Sequence, residues 1–473
     1  MTLADLLFDP EPPVDPGAPL VHLGDRSWSW DDVRGRASAL ARDLADAGVQ
    51  PGHAVGVMLP NGVELVAALF GVWRAGAVYV PMNPRLTDDE VARVLQSVEP
   101  AAVVTTDGVS ARAAAADLGD GVALVSFTSG TTGRPKPVLL THTGVVTLLD
   151  NVLATLRGGG TTRTADRTPM PNLVPLSLSL WAGIYNVLFA LRAGAPVVLM
   201  DGFDPVELAE LVKRFGIRST VLPPAAMTSL VDDARVTDLE PLRFVRSITA
   251  PLSPLQARRF RDRFGISVLN SYGQTEIGGE IVGWSAADSR AHGEDKLGSV
   301  GRPHAGVELR IADPADDGSG ELQVRTPALS AGYADGTDLS DRLTGDGWFR
   351  TGDIARIDAD GFVWIEGRVS DMINRGGLKV YPAEVEEVLL TSPLVGDAAV
   401  VGVPDARLGE VPVAFVVPSA AASGVAPISD GLSDYCRGHL APYKVPVRFE
   451  VVDALPRNEV GKVLKTVLKG SGA

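Results

Sequence analysis

Ser126 to His142 reads SFTSGTTGRPKPVLLTH, a run that packs hydroxyls, glycines and a lysine between the apolar pieces VALV and PVLL. Glycine lets backbone N–H groups turn toward an anion, hydroxyls add donors and lysine adds charge, so this composition could cradle phosphates. It also describes a flexible linker or a surface hairpin, and the residues alone leave these readings open. Gly133 is followed by Arg134, Pro135 and Lys136 rather than by lysine and serine, which argues against a Walker-type nucleoside triphosphatase. In NSYGQTE, Asn270 to Glu276, Tyr272 offers a flat face, Thr275 a hydroxyl and Glu276 a hard oxygen for a divalent cation. The bland alternative is a turn with a structural tyrosine. Asp353 of RTGD sits where an aspartate commonly caps its own backbone, Arg368 of EGR reads as a surface ion pair, and Lys462, Lys465 and Lys469 read as solvated charges of a basic tail.

Bulk properties narrow the setting. At 473 residues the chain is too long for one core of ordinary size and predicts two or more domains. Its 45% hydrophobic and 21% charged residues fit a folded, enzyme-sized protein. A net charge of −15 argues against nucleic acid as a partner, because neutralising phosphates takes clustered Lys and Arg. The single cysteine, Cys436, cannot close an intrachain disulfide or build a Cys-based zinc site; it fits a reducing compartment and reads as a small buried apolar residue. The opening MTLADLLFDPEPPVDPG places acids where an export signal needs a basic start, so a cytoplasmic location is expected. Thr168 to Leu191 carries no charge, but its prolines, serines and asparagines suit a buried pocket wall better than a membrane span.

The elements that must position these residues follow from periodicity. DDVRGRASALARDLADAGV carries apolar residues at Val33, Ala37, Leu40 and Leu44, begins with Asp and stops at Gly48, which predicts an amphipathic helix followed by the strand AVGVMLP. Helices near Gly62–Arg74 and Asp88–Val98 alternate with the strands VYVPM and AAVVTT, and later come APVVLM, STVLPP, FVRSIT and SVLN. The alternation predicts an α/β fold, a large N-terminal domain of mostly parallel sheets flanked by helices. After about residue 300 the closely spaced strands VELRIA, ELQVRT and GFVWIEG predict a smaller antiparallel subdomain. Beyond a boundary near Ser370 a small α+β C-terminal domain is expected, giving units 1–369 and 370–473.

With TSGTTGRPK, the stretches TAPLS (Thr249 to Ser253), NSYGQTE, Gly347 to Glu386 and LPRNEVGKVLK (Leu455 to Lys465) resemble, in order and spacing, the adenylate-forming superfamily, which includes acyl-CoA synthetases, amino-acid adenylation domains and luciferases. The resemblance covers nearly the whole chain. It implies that Thr128, Ser129, Gly130, Thr131, Thr132, Gly133 and Lys136 surround the phosphates of ATP, that Ala250, Pro251, Asn270, Ser271, Tyr272, Gly273 and Gln274 lie along the adenine and acyl side, and that Thr275 contacts phosphate. Glu276 and Thr131 would serve Mg²⁺. By the same resemblance Asp353 accepts the ribose hydroxyls, Arg368 sits near ribose or phosphate, and Lys462 is the mobile catalytic lysine that bridges a carboxylate oxygen and the α-phosphate. The family forms an acyl-adenylate and then sends a thiol to the acyl carbon, with rotation of the C-terminal domain about a hinge, here Ser370, bringing Gly376 and Gly377 to a thiol tunnel.

Two departures stand out. The hinge position, commonly Asp or Lys in such proteins, is serine, and the Pro-Leu pair that relatives often follow with an aromatic and a histidine here continues as Pro175, Leu176, Ser177, Leu178. No acid occurs between Arg167 and Arg192 to bind a substrate ammonium, so an uncharged pocket of Ser177, Leu178, Trp181, Ile184 and Thr249 is expected to take an apolar or aromatic acid. The expected activity is an ATP-dependent acid–CoA ligase. A carrier-protein thiol, an amine or another nucleophile as acceptor is the first alternative, and a non-catalytic nucleotide-binding homologue the second. Small-molecule acid and CoA or a separate carrier are the expected partners, in a monomer or homodimer.

Overall fold

The computed structural model describes residues 1–113, 115–128, 136–156, 169–419, 422, 428–457 and 462–471. Alternating helices and strands build the first half as expected. Trp30–Asp46 starts in a capping box, with Ser29 Oγ accepting from the Asp32 N–H and the Asp32 carboxylate accepting from the Ser29 N–H, and buries Val33, Ala37 and Leu44. Val63–Arg74 is apolar on all sides and almost wholly buried. The strands around it form a six-stranded sheet in the order Gly108–Ala111, Ala102–Thr105, Ala54–Val57, Val78–Pro81, Val122–Thr128, Lys136–Thr141. Its four central strands run parallel and each edge strand is antiparallel to its neighbour.

A second sheet joins Arg26–Ser29, Pro19–Leu23, Val197–Leu199 and Asn172–Val174, and a third, wholly parallel, joins Ser219–Leu222, Phe244–Ser247 and Ser267–Asn270. The later strands turn antiparallel: Glu308–Ala312, Gly320–Arg325, Phe349–Ile357 and Val363–Arg368 form a four-stranded meander. The middle of its third strand supplies Asp353, and the end of its fourth supplies Arg368.

A separate C-terminal domain follows. Its sheet pairs Val395–Asp405 with Gly409–Pro418, adds the hairpin Ile373–Arg375 and Leu378–Val380, and takes Arg448–Val451 in parallel. Two apolar clusters cover its faces, one including Val385, Leu389, Leu432 and Cys436, the other Val401, Phe415, Leu455 and Leu468. Cys436 is fully buried, as expected, and burial pushes its thiol up to about 11. The expected uncharged wall includes the helix Trp181–Ala193, and no helix among the described residues is long and apolar enough to cross a membrane.

Candidate active site

Two strands and a turn converge on Asp353. Pairing of Phe349–Ile357 with Val363–Arg368 sets Asp353 opposite Arg368, and Arg368 Nε lies 2.9 Å from Asp353 Oδ1. From the strand Tyr272–Gln274, the Tyr272 hydroxyl and Gln274 Nε2 each donate to Asp353 Oδ2 at 2.6 Å. Gln274 also donates to the Thr351 carbonyl at 2.9 Å. Thr351 Oγ1 accepts from the Asp353 N–H and donates to the Leu322 carbonyl, which fixes the strand where Gly352 takes a left-handed φ of 71°. A side chain that by composition could merely cap its own turn is therefore a buried acceptor fed from three directions. Burial, reinforced by Asp353, pushes the Tyr272 phenol well above its ordinary range and keeps it a neutral donor.

Close packing of glycines makes this approach possible. A Cβ at Gly273 would fall 1.8 Å from the Gly279 carbonyl oxygen, so only glycine lets the paired strands meet there.

Lys462 joins this corner from the C-terminal domain. It is partly buried, and burial together with Arg368 lowers its pKa, while Asp371 and Asp353 oppose that shift. An isolated bridge between Arg457 and Val463 and the bond from the Leu464 N–H to the Pro456 carbonyl anchor the stretch on either side of it. Its neighbour Lys465 departs from the solvated reading: its ammonium lies 2.6 Å from Glu386 within the C-terminal domain.

A second corner gathers around Glu276, which begins on the single turn Thr275–Ile277 and is 9% exposed. Arg342 Nη1 approaches Glu276 Oε1 to 3.7 Å, while its Nε and Nη2 donate to the carbonyls of Arg350 and Thr351. Lys136 Nζ stands 5.3 Å from the centre of the Tyr333 ring. Lys136 lies opposite Thr128 in an antiparallel pair; Ser129, Gly130, Thr131, Thr132 and Gly133 lie outside the described residues. Among the described residues no group of three or more His, Cys, Asp or Glu could hold a metal by itself. Glu276 alone fits a Mg²⁺ that arrives with nucleotide phosphates, because Mg²⁺ commonly uses one or two carboxylates plus substrate phosphates.

The residues expected on the acyl side stand at the ends of parallel strands. Ser253 caps the helix Pro254–Phe264 in a capping box with Gln256, which sets the direction of the preceding Ala250 and Pro251. Thr249 adopts φ 75°, a left-handed conformation that is strained for a β-branched residue. Asn270 Oδ1 accepts from the Ser271 N–H, and Ser271 Oγ donates to the Ser247 carbonyl. Asn61 clamps the altered Pro-Leu turn by donating to the Leu176 and Met200 carbonyls and accepting from the Leu178 N–H.

Ser177 and Trp181 are partly exposed, whereas Leu178 and Ile184 are fully buried in the main core. Trp181 Nε1 donates to the Gly278 carbonyl at 3.0 Å. The expected uncharged surroundings need correction: Arg246 and Glu280 form a buried ion pair, His304 Nε2 lies 3.1 Å from Glu280 Oε1, and Tyr185, one turn beyond Trp181, sits beside Arg246. These charges enter from other strands, so a scan of the segment 168–191 could not register them. A readable signal did exist in Arg246, a charge inside the apolar strand FVRSIT. Arg342 had none.

Ser370 lies exposed on the single turn Val369–Asp371 between the two domains' sheets. Gly376 and Gly377 form the exposed turn of the C-terminal hairpin, where their N–H groups bond to the Leu408 carbonyl and Asn374 Oδ1, within that domain.

The AMP-binding enzyme model matches residues 10–121 and 109–334, and the AMP-binding enzyme C-terminal domain model matches 384–462. A feruloyl-CoA synthase of Amycolatopsis sp is 33% identical over 483 residues, covering 96% of this chain and 95% of that protein. ATP-bound MatB from Rhodopseudomonas palustris superposes with a TM-score of 0.88 at 27% identity, over 100% of this chain and 99% of that one, against 0.76 for the apo form of the same protein. The amide bond synthetase McbA from Marinactinospora thermotolerans gives 0.84 at 28% identity over 100% and 99% of the two chains. The Asp353 corner, the placement of Lys462 beside it and these matches over nearly the whole length carry one conclusion: the chain belongs to the AMP-binding enzyme family, within the adenylate-forming superfamily.

Proposed function

We propose that the protein joins a carboxylic acid to ATP as an acyl-adenylate and passes the acyl group to a thiol, with CoA as the acceptor. The observation that carries this reading is the approach of Lys462 to the Asp353–Arg368 pair, because it sets a cation beside a polar corner built by Asp353, Arg368, Tyr272 and Gln274. Asp353 takes the ribose hydroxyls, Tyr272 and Gln274 hold that carboxylate in place, and Ala250, Pro251, Asn270, Ser271 and Gly273 border the base. Thr128, Lys136, Thr275 and Arg368 face the phosphates. A Mg²⁺ held by Glu276 and the phosphates would supply charge neutralisation.

In the first step a carboxylate oxygen attacks the α-phosphorus and the bond to pyrophosphate breaks. Charge gathers on the oxygens around phosphorus, and Lys462 stabilises it most where the barrier is highest. In the second step a thiol attacks the acyl carbon, the C–O bond to AMP breaks and the thiol proton passes to solvent. Units 1–369 and 370–473 then act as two bodies about Ser370, carrying Lys462 away and Gly376–Gly377 toward the acceptor. A cytoplasmic location follows from the unpaired cysteine, and a monomer or homodimer suffices.

An amine as acceptor is the second reading, favoured by the likeness to McbA. Acid-dependent exchange of labelled pyrophosphate into ATP tests the first step across fatty, aryl, amino and dicarboxylic acids without acceptor. Exchange is expected; with an active acid, CoA, carrier thiols and amines then compete for the acyl group. Failure of every acid in folded protein that binds ATP overturns the proposal in favour of a non-catalytic nucleotide binder.

A further inference from the structure

The chain buries a set of charges beside its acyl side. The helix Trp181–Ala193 carries Trp181 and, one turn on, Tyr185, with ring centres 5.8 Å apart. Trp181 packs on Gly278 and Gly279; a Cβ at Gly279 would lie 3.1 Å from the indole nitrogen. The next residue, Glu280, pairs with Arg246, which stands three positions before the strained Thr249. His304 Nδ1 bonds to Thr155 Oγ1 at 3.1 Å, so the histidine is held on both ring nitrogens. The set thus adjoins Trp181, through Tyr185 and Gly279, and the strand that leads to Thr249, through Arg246.

Two properties of this set bear on the ligand. The Arg246 charge is already balanced, since Glu280 faces it. Burial alone would raise the Glu280 carboxyl, but Arg246 and His304 overcome that and hold it well below the ordinary range. The Tyr185 hydroxyl, in contrast, is buried beside the same guanidinium yet makes no properly aligned hydrogen bond. A buried polar group without a partner is costly, and a buried ion pair adds little stability that apolar packing would not match. Holding helix, strand and turn together would not require an unsatisfied hydroxyl. A ligand group that completes it would.

We propose that Tyr185, Arg246 and Glu280 form a polar floor under the acid, selecting acids with a neutral hydrogen-bonding group, such as a hydroxyl, at the end remote from the reacting carboxylate. Plain hydrocarbon acids leave the floor unsatisfied, and dicarboxylic acids bring a second anion toward Glu280, where no unbalanced cation of the set receives it. This rests on the adenylating activity proposed above and narrows its substrate class.

The test is pyrophosphate exchange by the full-length protein with benzoic, phenylacetic and cinnamic acids, each unsubstituted, 4-hydroxy and 4-carboxy, and with a series of alkanoic acids. In at least one series the hydroxy acid is expected to exceed its parent by about 10-fold or more in kcat/KM, with the carboxy acid poorest, since sites built to hydrogen-bond a hydroxyl reject analogues without it. Tyr185→Phe should bring the hydroxy-to-parent ratio close to one. Glu280→Gln should raise use of the carboxy acid, a gain that misfolding cannot imitate. Parents equal to their hydroxy forms, an unchanged ratio in Tyr185→Phe, or a wild-type preference for the dianions would each overturn the polar floor while leaving adenylation standing. Silence with every acid, alkanoic acids included, would overturn the activity and the floor together.

Discussion

The Tyr272 hydroxyl donates to Asp353 Oδ2 at 2.6 Å, tying the short strand Tyr272–Gln274, which pairs antiparallel with Gly279–Gly283, to the antiparallel meander 81 residues later. Two separate antiparallel sheets thus share one carboxylate, and the corner around Asp353 exists only when both are folded.

Tyr272→Phe should therefore weaken ATP without unfolding the chain. One hydrogen bond to a charged group is worth about 1.5–3 kcal/mol, or roughly 10–100-fold in affinity. Titration calorimetry with ATP checks this, and unaltered affinity would remove Tyr272 from the nucleotide site.

Lys462→Ala should slow pyrophosphate exchange by about 100-fold or more, the scale of losing one preorganised charge at the transition state. Transfer from a chemically supplied acyl-adenylate to CoA should persist, because that step does not break a bond to phosphorus's leaving pyrophosphate. Equal loss in both steps would contradict the assignment.

The acid–base sign for Lys462 is definite. Its useful form is the cation, and burial with Arg368 lowers its pKa, so raising the pH should remove that cation earlier than for an exposed lysine. The kcat/KM profile for ATP should fall on an alkaline limb below the ordinary lysine range. Lys462→Arg, which keeps its charge, should shift the limb upward; an identical limb in both proteins would assign it to another group.

Lys465→Ala provides the contrast. Its pair with Glu386 is a partly exposed bridge inside the C-terminal domain, so unfolding should cost at most about 1 kcal/mol less in denaturant titrations, with exchange retained. Loss of exchange comparable to that of Lys462→Ala would mean that the two lysines act together.

Gly273→Ala should be severe. The added methyl meets the Gly279 carbonyl, and forced overpacking costs about 1–3 kcal/mol or more, so both the melting temperature and ATP binding should drop. A wild-type melting temperature would show that the strands can part freely.

Much of this was readable from the chain. The helix Asp88–Val98 occupies the expected residues, because Thr87 and Glu90 form a capping box and the apolar spacing is local information. The strands FVRSIT and SVLN also fall where expected, and Asp353 pairs with Arg368, with Lys462 near enough for both charges to act on it. What stayed hidden depends on long-range pairing. Glu280 sits only four residues after Glu276, yet one faces Arg342 and the other Arg246, and nothing local distinguishes them. The seclusion of Leu178 and Ile184 in the core, likewise, is set by helix packing rather than by the composition of their segment.

Thr249 keeps a left-handed backbone that costs about 1–3 kcal/mol, at a position glycine would occupy freely. The rest of the fold acts there as a clamp on a bent spring. Glycine at this place would ease the tension and loosen the segment that leads into Ala250 and Pro251, so the threonine marks where stability is given up for a fixed backbone, and where a lineage selected only for heat tolerance would be expected to drift first.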